Sequence, residues 1–283
     1  TKIVAQAIPP LKPPAVGGPP CALTTLLVVA SLCSGLLPLQ SSSRCLLRLH
    51  TAMSSSLAFQ RFEGITHVLI DCDDCVYQNN WATARRITES IAAYTSKLGV
   101  RKDKAYALYQ QHGTCLKGLL LEGLIDEAGV EQFLHEVHAI EYSDIAPDPR
   151  LRSVLEGVFR LVPCWIFTAS AREHAKRCLT AVGIDGLPWQ GVIDTRDCKL
   201  ETKHSPASFA AALRIAGATD PSSCLLCDDS VKNIVAAKAF GLKTVLVGMY
   251  DRDSGAKIQC EAADAHVASL HDLGPLMGVL SAS

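Results

Sequence analysis

The sequence lacks a net excess of charge of either sign. Its 283 residues include 27 Lys and Arg against 28 Asp and Glu, and the formal net charge is −1. A protein whose main partner is a nucleic acid or an anionic membrane presents a strongly basic surface, and no repeat or nucleic-acid-binding motif is recognisable here. We therefore expect a small-molecule ligand and no nucleic-acid partner. The 48% hydrophobic content is ample for a packed core and excludes disorder throughout the chain.

Acidic residues are absent from positions 1–62, where a few Lys and Arg residues supply sparse positive charge. Residues 21–39 form an uncharged, mostly apolar run, and a stretch rich in Ser and Arg follows it. This pattern is typical of a targeting segment and is similar to the two-part presequences of some plastid proteins. We predict that residues 1–60 are a targeting or disordered segment.

The same segment leaves two locations open. If residues 1–52 are a presequence, the protein is expected in a plastid or another organelle. If translation instead starts at Met53, the expected location is cytoplasmic. In both cases we expect no stable membrane association of the mature domain.

The twelve cysteines do not have the arrangement of a disulfide framework, because they lie in apolar, strand-like runs rather than in turn-rich loops. We expect most of them to be reduced core residues. Two C-x-x-C pairs, Cys72/Cys75 and Cys224/Cys227, allow the alternative of a four-thiolate zinc site. Each pair adjoins aspartates at a strand end, where side chains alternate in direction, and this disfavours convergence of the thiols.

From residue 66 onward, short apolar runs alternate with segments of helical periodicity. This alternation predicts an α/β fold with a doubly wound, mainly parallel, Rossmann-like sheet. The predicted strands are residues 66–71, 163–168, 191–194, 224–228, 243–247 and 265–268.

About 90 residues separate the first two predicted strands, far more than one crossover helix requires. Apolar residues recur there at helical spacing, so we predict an inserted helical cap domain at residues 81–146. The α/β core is then formed by residues 61–80 and 147–283. The apolar positions that predict the cap helices are Ile87, Ile91, Tyr94, Leu98, Val130, Phe133, Leu134 and Val137.

Polar side chains follow three of the predicted strands, and a lysine precedes a predicted helix. Because the carboxyl ends of parallel strands lie at one edge of the sheet, these side chains should converge. Clustered carboxylates form an all-oxygen site suited to Mg²⁺, and they could not all ionise without a cation to balance them. Taken singly, each cluster also fits an acidic surface turn or a solvated lysine. The residues are Asp71, Asp73, Thr168, Lys203, Asp228 and Asp229.

In this order and at these strand ends, the residues resemble the four motifs of the haloacid dehalogenase-like superfamily. Over about residues 64–252 the sequence is similar to the pyrimidine 5′-nucleotidase branch of that superfamily. The segments that carry this closer similarity are residues 109–114, 116–119, 147–149, 203–206 and 228–233.

The resemblance implies a role for each motif residue. Asp71 would be the nucleophile and a metal ligand, and Asp73 would be the general acid and base, with its backbone carbonyl on the metal. Asp228 and Asp229 would complete the Mg²⁺ site. Lys203 would orient Asp71, and Thr168 would bind phosphate together with the residue that follows it, Ala169.

The sequence departs from the family pattern at two positions. Ala169 stands where Asn is usual, and Cys75 stands where Thr is usual. Because both residues keep their backbone N–H groups, we expect reduced affinity or altered specificity rather than loss of chemistry.

The cap is predicted to select the substrate through polar groups that follow a predicted helix end. These residues are His112, Gly113, Thr114 and Lys117, and the alternative is that they only cap a helix. The resemblance implies a Mg²⁺-dependent phosphomonoesterase that acts through an aspartyl-phosphate. A pyrimidine nucleoside 5′-monophosphate is the leading substrate.

Four alternatives remain open. The substrate could be another small metabolite or a cofactor phosphate, since folds of this kind host many substrates. A non-catalytic phosphate-binding relative would fit the changes at Ala169 and Cys75. A dehalogenase would need neither Asp73 nor a metal, so the acidic motifs argue against it. Redox regulation through Cys72 is disfavoured, because neighbouring carboxylates and burial raise the pKa of a thiol.

Overall fold

The computed structural model describes residues 62–252 and 254–279, so the predicted targeting segment lies outside the described residues. Within them, six strands form one sheet. The strands are β1 (His67–Ile70), β2 (Cys164–Phe167), β3 (Val192–Ile193), β4 (Cys224–Asp228), β5 (Lys243–Val247) and β6 (Ala265–Val267). All six predicted strands are confirmed to within one residue at each end.

The strands are parallel and run in the order β3-β2-β1-β4-β5-β6. In β1, Leu69 pairs with Trp165 on one side and with Leu226 on the other. The strand order reverses between β1 and β4, and ligands of open α/β sheets bind beyond the carboxyl ends of the strands at such a point. We therefore expect the functional site at the carboxyl ends of β1 and β4.

Nine α-helices lie in the described part of the chain. They are α1 (Ala82–Lys97), α2 (Lys102–His112), α3 (Cys115–Leu121), α4 (Glu127–Val137), α5 (Pro149–Phe159), α6 (Arg172–Val182), α7 (Pro206–Ala216), α8 (Val231–Phe240) and α9 (Leu273–Leu276). Helices α1 to α5 lie between β1 and β2, and the other helices follow later strands of the sheet.

The sheet has a hydrophobic core on each face because successive side chains of a strand point in opposite directions. In β1, Val68 and Ile70 belong to one core cluster and Leu69 to the other. The first cluster includes residues of α5 and α6, and the second includes residues of α7 and α8. These two cores confirm the doubly wound fold class.

Helices α1 to α4 share a hydrophobic cluster that includes Tyr94, Leu108 and Phe133. The predicted buried face of α4, at 130, 133, 134 and 137, is confirmed. The prediction for Leu98 is wrong: α1 ends at Lys97, and Leu98 is its exposed C-cap residue. That these helices act as a separate cap domain at residues 81–146 stays a prediction.

The nine described cysteines are all free thiols, and eight of them are buried. This agrees with the prediction of reduced core residues. Among the described residues, no group of metal-ligating side chains contains two thiols of the C-x-x-C pairs Cys72/Cys75 and Cys224/Cys227. None of the described helices is long and apolar enough to span a membrane.

An ion-pair network anchors the loop that follows β3. The side chain of Asp194 is fully buried and accepts hydrogen bonds from the guanidinium groups of Arg172 and Arg196. Arg196 also pairs with Glu131 of α4 and with Glu173 of α6. Burial opposes ionisation of Asp194, but the hydrogen bonds from Arg172 and Arg196 outweigh it and hold its pKa below the ordinary value.

The substitution Asp194→Asn is expected to reduce the free energy of unfolding by roughly 2–4 kcal/mol at pH 7, because it leaves two cations without their shared partner. A lowered carboxyl pKa contributes stability above the unfolded-state pKa of about 4, and this contribution is lost as the pH falls through the folded-state value. Urea unfolding should therefore show a difference between wild type and variant that shrinks below about pH 4. The variant Asp197→Asn, whose carboxylate is partly exposed, is the matched control and should lose less stability. An equal loss in both variants would contradict this assignment.

Candidate active site

The ends of β1 and β4 bring two aspartates to one lysine. Asp71 directly follows β1, and Asp228 is the last residue of β4. The Lys203 ammonium donates to Asp71 Oδ1 at 2.5 Å and to Asp228 Oδ2 at 2.8 Å. All three residues are buried, with Lys203 only 3% exposed. Three motifs that are far apart in the sequence therefore meet at the switch point of the sheet.

Local hydrogen bonds fix the carboxylate of Asp228. Its Oδ1 accepts from the Ser230 backbone N–H and from the Asn233 side-chain amide, both at 2.9 Å. Ser230 caps α8, and its hydroxyl accepts from the Asn233 backbone N–H. The turn that starts α8 thus determines the orientation of Asp228, and Asn233 supports the site through this carboxylate.

Charge is unbalanced at this cluster. Burial raises the pKa of Asp71 to about 7, although Lys203 opposes that shift, and Asp228 adds to it. Burial, together with Asp228 and Asp71, raises the pKa of Asp229 well above its ordinary value. One lysine does not neutralise three carboxylates, so the cluster favours an additional cation.

Asp71, Asp228 and Asp229 offer ligand atoms that lie within 4.8 Å of one another. The donors are all carboxylate oxygens, which hard cations such as Mg²⁺ and Ca²⁺ prefer. The three residues therefore fit a divalent cation, as the sequence pattern predicts. The backbone carbonyl of Asp73, predicted as a further ligand, stays a prediction.

The Asp73 side chain has a different environment from that of Asp71. Its Oδ1 accepts from the Tyr77 hydroxyl at 2.6 Å and from His174 Nε2 at 2.7 Å, and its Oδ2 accepts from the Ser170 hydroxyl at 3.0 Å. Burial opposes ionisation, but His174 and Tyr77 outweigh it and lower the pKa of Asp73. Asp73 raises the pKa of His174 well above the ordinary value, despite burial of the ring. The structure thus holds Asp73 as a carboxylate beside an imidazolium.

Three partners of Asp73 are not predicted from the sequence: Tyr77, Ser170 and His174. His174 lies on α6, which follows β2, and its ring is fully buried. A histidine in the first turn of a helix that starts at the carboxyl edge of the sheet is the available sequence signal. That signal alone does not show which way the ring points.

Thr168 and Ala169 lie at the end of β2, beside Asp73. Thr168 is buried, and its Oγ1 accepts from the Ser170 backbone N–H at 3.0 Å, so its hydroxyl proton is free to donate elsewhere. Ala169 is exposed. The group that Ala169 can offer a ligand is therefore its backbone N–H.

The predicted substrate residues form the turn between α2 and α3. Gly113 has a φ of 83° and ends α2, while Thr114 caps α3 and accepts from the Lys117 backbone N–H. Both residues therefore cap helices. A role in binding substrate stays a prediction.

This turn lies against the segment that carries Lys203. A Cβ atom added to Gly113 would meet Thr202 Cγ2 and His204 Nδ1 at 3.0 Å each. Lys117 Nζ pairs with Glu201 at 2.8 Å. His112 Nε2 is buried and has no hydrogen-bond partner among the described residues. The turn therefore contacts the residues on both sides of Lys203 in the sequence.

A cleft of about 250 Å³ opens beside Asp229. Its walls include Asp74, Asn79, Trp81 and Tyr250, none of which the sequence analysis singled out. The volume is smaller than that of most drug-sized ligand sites, and it suits a small polar ligand. Of the three carboxylates of the predicted metal site, Asp229 lines this cleft.

Cysteines adjoin the site on its inner side. Cys75, at the position where Thr is usual, is buried and donates weakly to the Cys227 carbonyl at 3.7 Å. Burial raises its pKa well above the ordinary value. Cys178 differs, because a hydrogen bond with Cys72 and contact with His174 lower its pKa to about 7 despite burial.

Comparisons with known proteins identify the family and the fold. A family model described as haloacid dehalogenase-like hydrolase matches residues 65–241. Phosphate metabolism protein 8 of Saccharomyces cerevisiae is 24% identical over 191 residues, which are 62% of this chain and 59% of that protein. The chain thus spans less than two thirds of the length of this relative.

Two solved structures of CbbY from Rhodobacter sphaeroides share the fold. One is a complex with phosphate, with a TM-score of 0.56 and 17% identity. The other is a variant in complex with xylulose-(1,5)bisphosphate, with a TM-score of 0.56 and 16% identity. Each covers 74% of this chain and 96% of the compared chain. At this identity the likeness shows the fold alone.

Proposed function

Because this chain belongs to the haloacid dehalogenase-like hydrolase family, we propose that it is a Mg²⁺-dependent phosphomonoesterase that acts through an aspartyl-phosphate. One observation carries the proposal: a buried Asp71 carboxylate is held by Lys203 beside two further carboxylates at the switch point of the sheet. A nucleophile, a fixed cation and an oxygen-only metal site are the parts that phosphoryl transfer needs.

Asp71, Asp228 and Asp229 would hold the Mg²⁺ ion. When bound, the ion neutralises phosphoryl oxygens and the excess negative charge of the three carboxylates. Lys203 is already in place as the second positive charge, and its burial strengthens its interaction with an anionic phosphoryl group. The chain itself therefore supplies a preorganised anion site.

In the first half-reaction, a carboxylate oxygen of Asp71 attacks phosphorus. The new O–P bond forms as the bond from phosphorus to the ester oxygen breaks, and the departing oxygen takes a proton from Asp73. The hydroxyl of Thr168 and the backbone N–H of Ala169 are the groups that can hold phosphoryl oxygens during this step.

The proton for the leaving group is stored beside Asp73. His174 donates to Asp73 Oδ1, and the pair has one dissociable proton, held mainly on the imidazole. Transfer along this 2.7 Å hydrogen bond makes Asp73 an acid. In the second half-reaction, the ionised Asp73 takes a proton from the water that attacks the aspartyl-phosphate, and phosphate leaves.

We propose a pyrimidine nucleoside 5′-monophosphate as the substrate. The family resemblance suggests this choice, and the α2–α3 turn supplies polar groups beside the segment that carries Lys203, including His112 Nε2, which has no hydrogen-bond partner in the part of the chain that the structure describes. Lys117 is the positive charge of that turn. Another small metabolite phosphate or a cofactor phosphate would use the same chemistry with different contacts at this turn.

Phosphate release from a panel of monophosphates tests the function. The panel contains UMP, CMP, purine nucleotides, sugar phosphates and cofactor phosphates, each assayed with Mg²⁺ and with excess chelator. Turnover that requires Mg²⁺ and favours UMP or CMP is expected. Preference for a different ester would contradict the proposed substrate and remain consistent with the proposed mechanism. No release from any ester by folded protein would overturn the enzymatic assignment and favour a non-catalytic relative.

Mg²⁺ affinity should weaken as the pH falls below about 7. The pKa of Asp71 is raised to about 7 by burial, so the carboxylate is protonated below that pH and must lose its proton to bind the ion. Burial also raises the pKa of the second ligand Asp229, and each proton that is released on binding lowers the apparent affinity by up to about tenfold per pH unit. Calorimetric titration of Mg²⁺ between pH 5.5 and 8.5, in buffers of different ionisation enthalpy, measures both quantities. An affinity independent of pH over this range would contradict the assignment of Asp71 as a ligand.

A further inference from the structure

A second cluster of metal-ligating side chains lies on the inner side of the site. Cys72, Asp73 and Cys178 offer ligand atoms that all lie within 4.8 Å of one another. His174 adds a ring nitrogen, since its Nε2 lies 2.7 Å from Asp73 Oδ1 and 3.5 Å from Cys178 Sγ. The proposed phosphatase reaction uses neither thiol.

Two elements of the fold create this convergence. Cys72 and Asp73 are consecutive residues at the end of β1. His174 and Cys178 are four residues apart on α6 and therefore lie on the same face of that helix. Both thiols belong to the hydrophobic cluster between the sheet and α6, and neither is measurably exposed.

We propose that Cys72, Cys178 and His174, with Asp73 as fourth ligand, form a binding site for a thiophilic divalent cation such as Zn²⁺. Two sulfur donors, one imidazole nitrogen and one carboxylate oxygen are a zinc ligand set, whereas Mg²⁺ requires oxygen donors. The site therefore differs in selectivity from the carboxylate cluster of Asp71, Asp228 and Asp229.

Two distances at His174 can be compared with those of a tetrahedral site. Bonds of about 2.3 Å to sulfur and about 2.0–2.1 Å to nitrogen and oxygen place neighbouring ligand atoms roughly 3.3–3.8 Å apart. The 3.5 Å between Cys178 and His174 already lies in this range. The 2.7 Å between Asp73 and His174 must lengthen by roughly 0.6 Å to reach the same range, as the hydrogen bond gives way to two metal bonds.

The exchange balances in protons and charge. The cation forms four bonds, and the two thiol protons and the Nε2 proton of His174 leave to solvent. Two thiolates, one carboxylate and a neutral imidazole then surround a charge of +2. The Asp73 side chain is 24% exposed, so a cation can enter from the solvent side of that residue.

An outer hydrogen bond already orients the imidazole for this role. The Tyr142 hydroxyl donates to the His138 carbonyl at 3.2 Å, so its oxygen accepts from His174 Nδ1–H at 2.8 Å. This leaves Nε2 as the nitrogen that faces Asp73 and the Cys178 thiol. Metal-bound histidines are commonly held by such a bond at the second ring nitrogen.

Occupancy would take Asp73 and His174 out of proton transfer. This consequence rests on the proposed function: a phosphatase that uses Asp73 as acid and base would be inhibited by Zn²⁺ at this site. Binding itself does not depend on that function. Binding and inhibition are therefore measured separately.

The binding test uses the full chain, reduced and freed of metal, with Zn²⁺ and with Co²⁺ as a spectroscopic probe. Wild type is expected to show thiolate-to-cobalt charge-transfer absorption and to bind one more tight Zn²⁺ equivalent than Cys178→Ser or Cys178→Ala. In these variants the affinity of the site should fall by about 100-fold or more, since loss of an outer partner alone costs 10–100-fold. Tyr142→Phe removes such an outer partner, so it should lower the Zn²⁺ affinity by about 10–100-fold.

Two control variants separate this site from others in the chain. Cys164→Ser changes another buried thiol, on β2, and should keep wild-type stoichiometry. Asp228→Asn disrupts the carboxylate cluster and should keep the cobalt–thiolate band. Equal Zn²⁺ stoichiometry and affinity in wild type and both Cys178 variants, or a band that survives their substitution unchanged, would overturn the proposal.

The inhibition test compares Mg²⁺-dependent phosphate release in wild type and Cys178→Ser as Zn²⁺ is added. Wild type should lose activity at the Zn²⁺ concentration that fills the thiolate site, and the variant should need about 100-fold more. If Zn²⁺ binds to the thiolates but inhibits wild type and Cys178→Ser equally, the site exists and the proposed inhibition through it is wrong. If the wild-type protein binds Zn²⁺ at this site but hydrolyses no ester, the metal site is supported and the proposed phosphatase activity is wrong.

Discussion

Asp71→Asn is expected to lower phosphate release by a factor on the order of 10⁵ or more, because an amide oxygen does not form the aspartyl-phosphate. The substitution preserves the shape of the side chain, so the fold should survive. It also removes one of the two buried carboxylates that share Lys203, and burial disfavours the charged form of Asp71, so the metal-free protein should be no less stable than wild type. Steady-state kinetics and thermal unfolding without Mg²⁺ measure the two effects.

Asp74→Asn is the matched control for this experiment. Asp74 lies three residues further along the same turn and lines the cleft, and burial raises its pKa to about 7. An amide is therefore a fair substitute for its protonated form, and a loss of activity of about tenfold or less is expected. If Asp71→Asn kept activity within about tenfold of wild type, Asp71 would not be the nucleophile.

Lys203→Met is expected to reduce both activity and stability. Activity should fall by about 10²–10³, since the variant lacks a preorganised positive charge at the phosphoryl group. The free energy of unfolding should fall by about 3–5 kcal/mol, because Asp71 and Asp228 remain buried without their shared cation. Mg²⁺ should raise the melting temperature more in this variant than in wild type, since the ion then supplies the missing positive charge.

Two further variants distinguish these causes. Lys238→Met removes a lysine from a partly exposed ion pair with Asp264 and should cost about 1 kcal/mol or less. The double variant Lys203→Met/Asp228→Asn removes one of the two unpaired carboxylates and should recover part of the stability, but not the activity. A double variant less stable than Lys203→Met alone would argue against charge as the reason for the loss.

The sequence was sufficient for the architecture because its signals are local. A strand buried on both faces reads as a continuous apolar run, and a helix reads as a 3.6-residue period. All six strands were therefore located to within one residue, and the buried face of α4 was correct. The prediction for Leu98 was wrong because the helical spacing of apolar residues does not show where α1 ends. The helix ends at Lys97, and Leu98 is its C-cap residue.

Convergence of the motifs was also predictable, because carboxyl ends of parallel strands share one edge. Asp71 and Asp228 follow from this rule, and Lys203 follows from the need to balance their charge. The rule does not give the strand order, which places β1 next to β4 rather than next to β3. Only long-range packing selects that order.

The sequence by itself determined the fold class, the strands and the acidic motifs with their lysine, because residue type and spacing carry that information. Tertiary structure alone brought Ser170 and His174 to Asp73. These residues lie 97 and 101 positions further along the chain, and they reach Asp73 because the end of β2 and the start of α6 lie beside β1, whereas Tyr77 is a local partner only four residues away. The same packing places Cys178 against Cys72, a contact between residues more than 100 positions apart that no local pattern encodes.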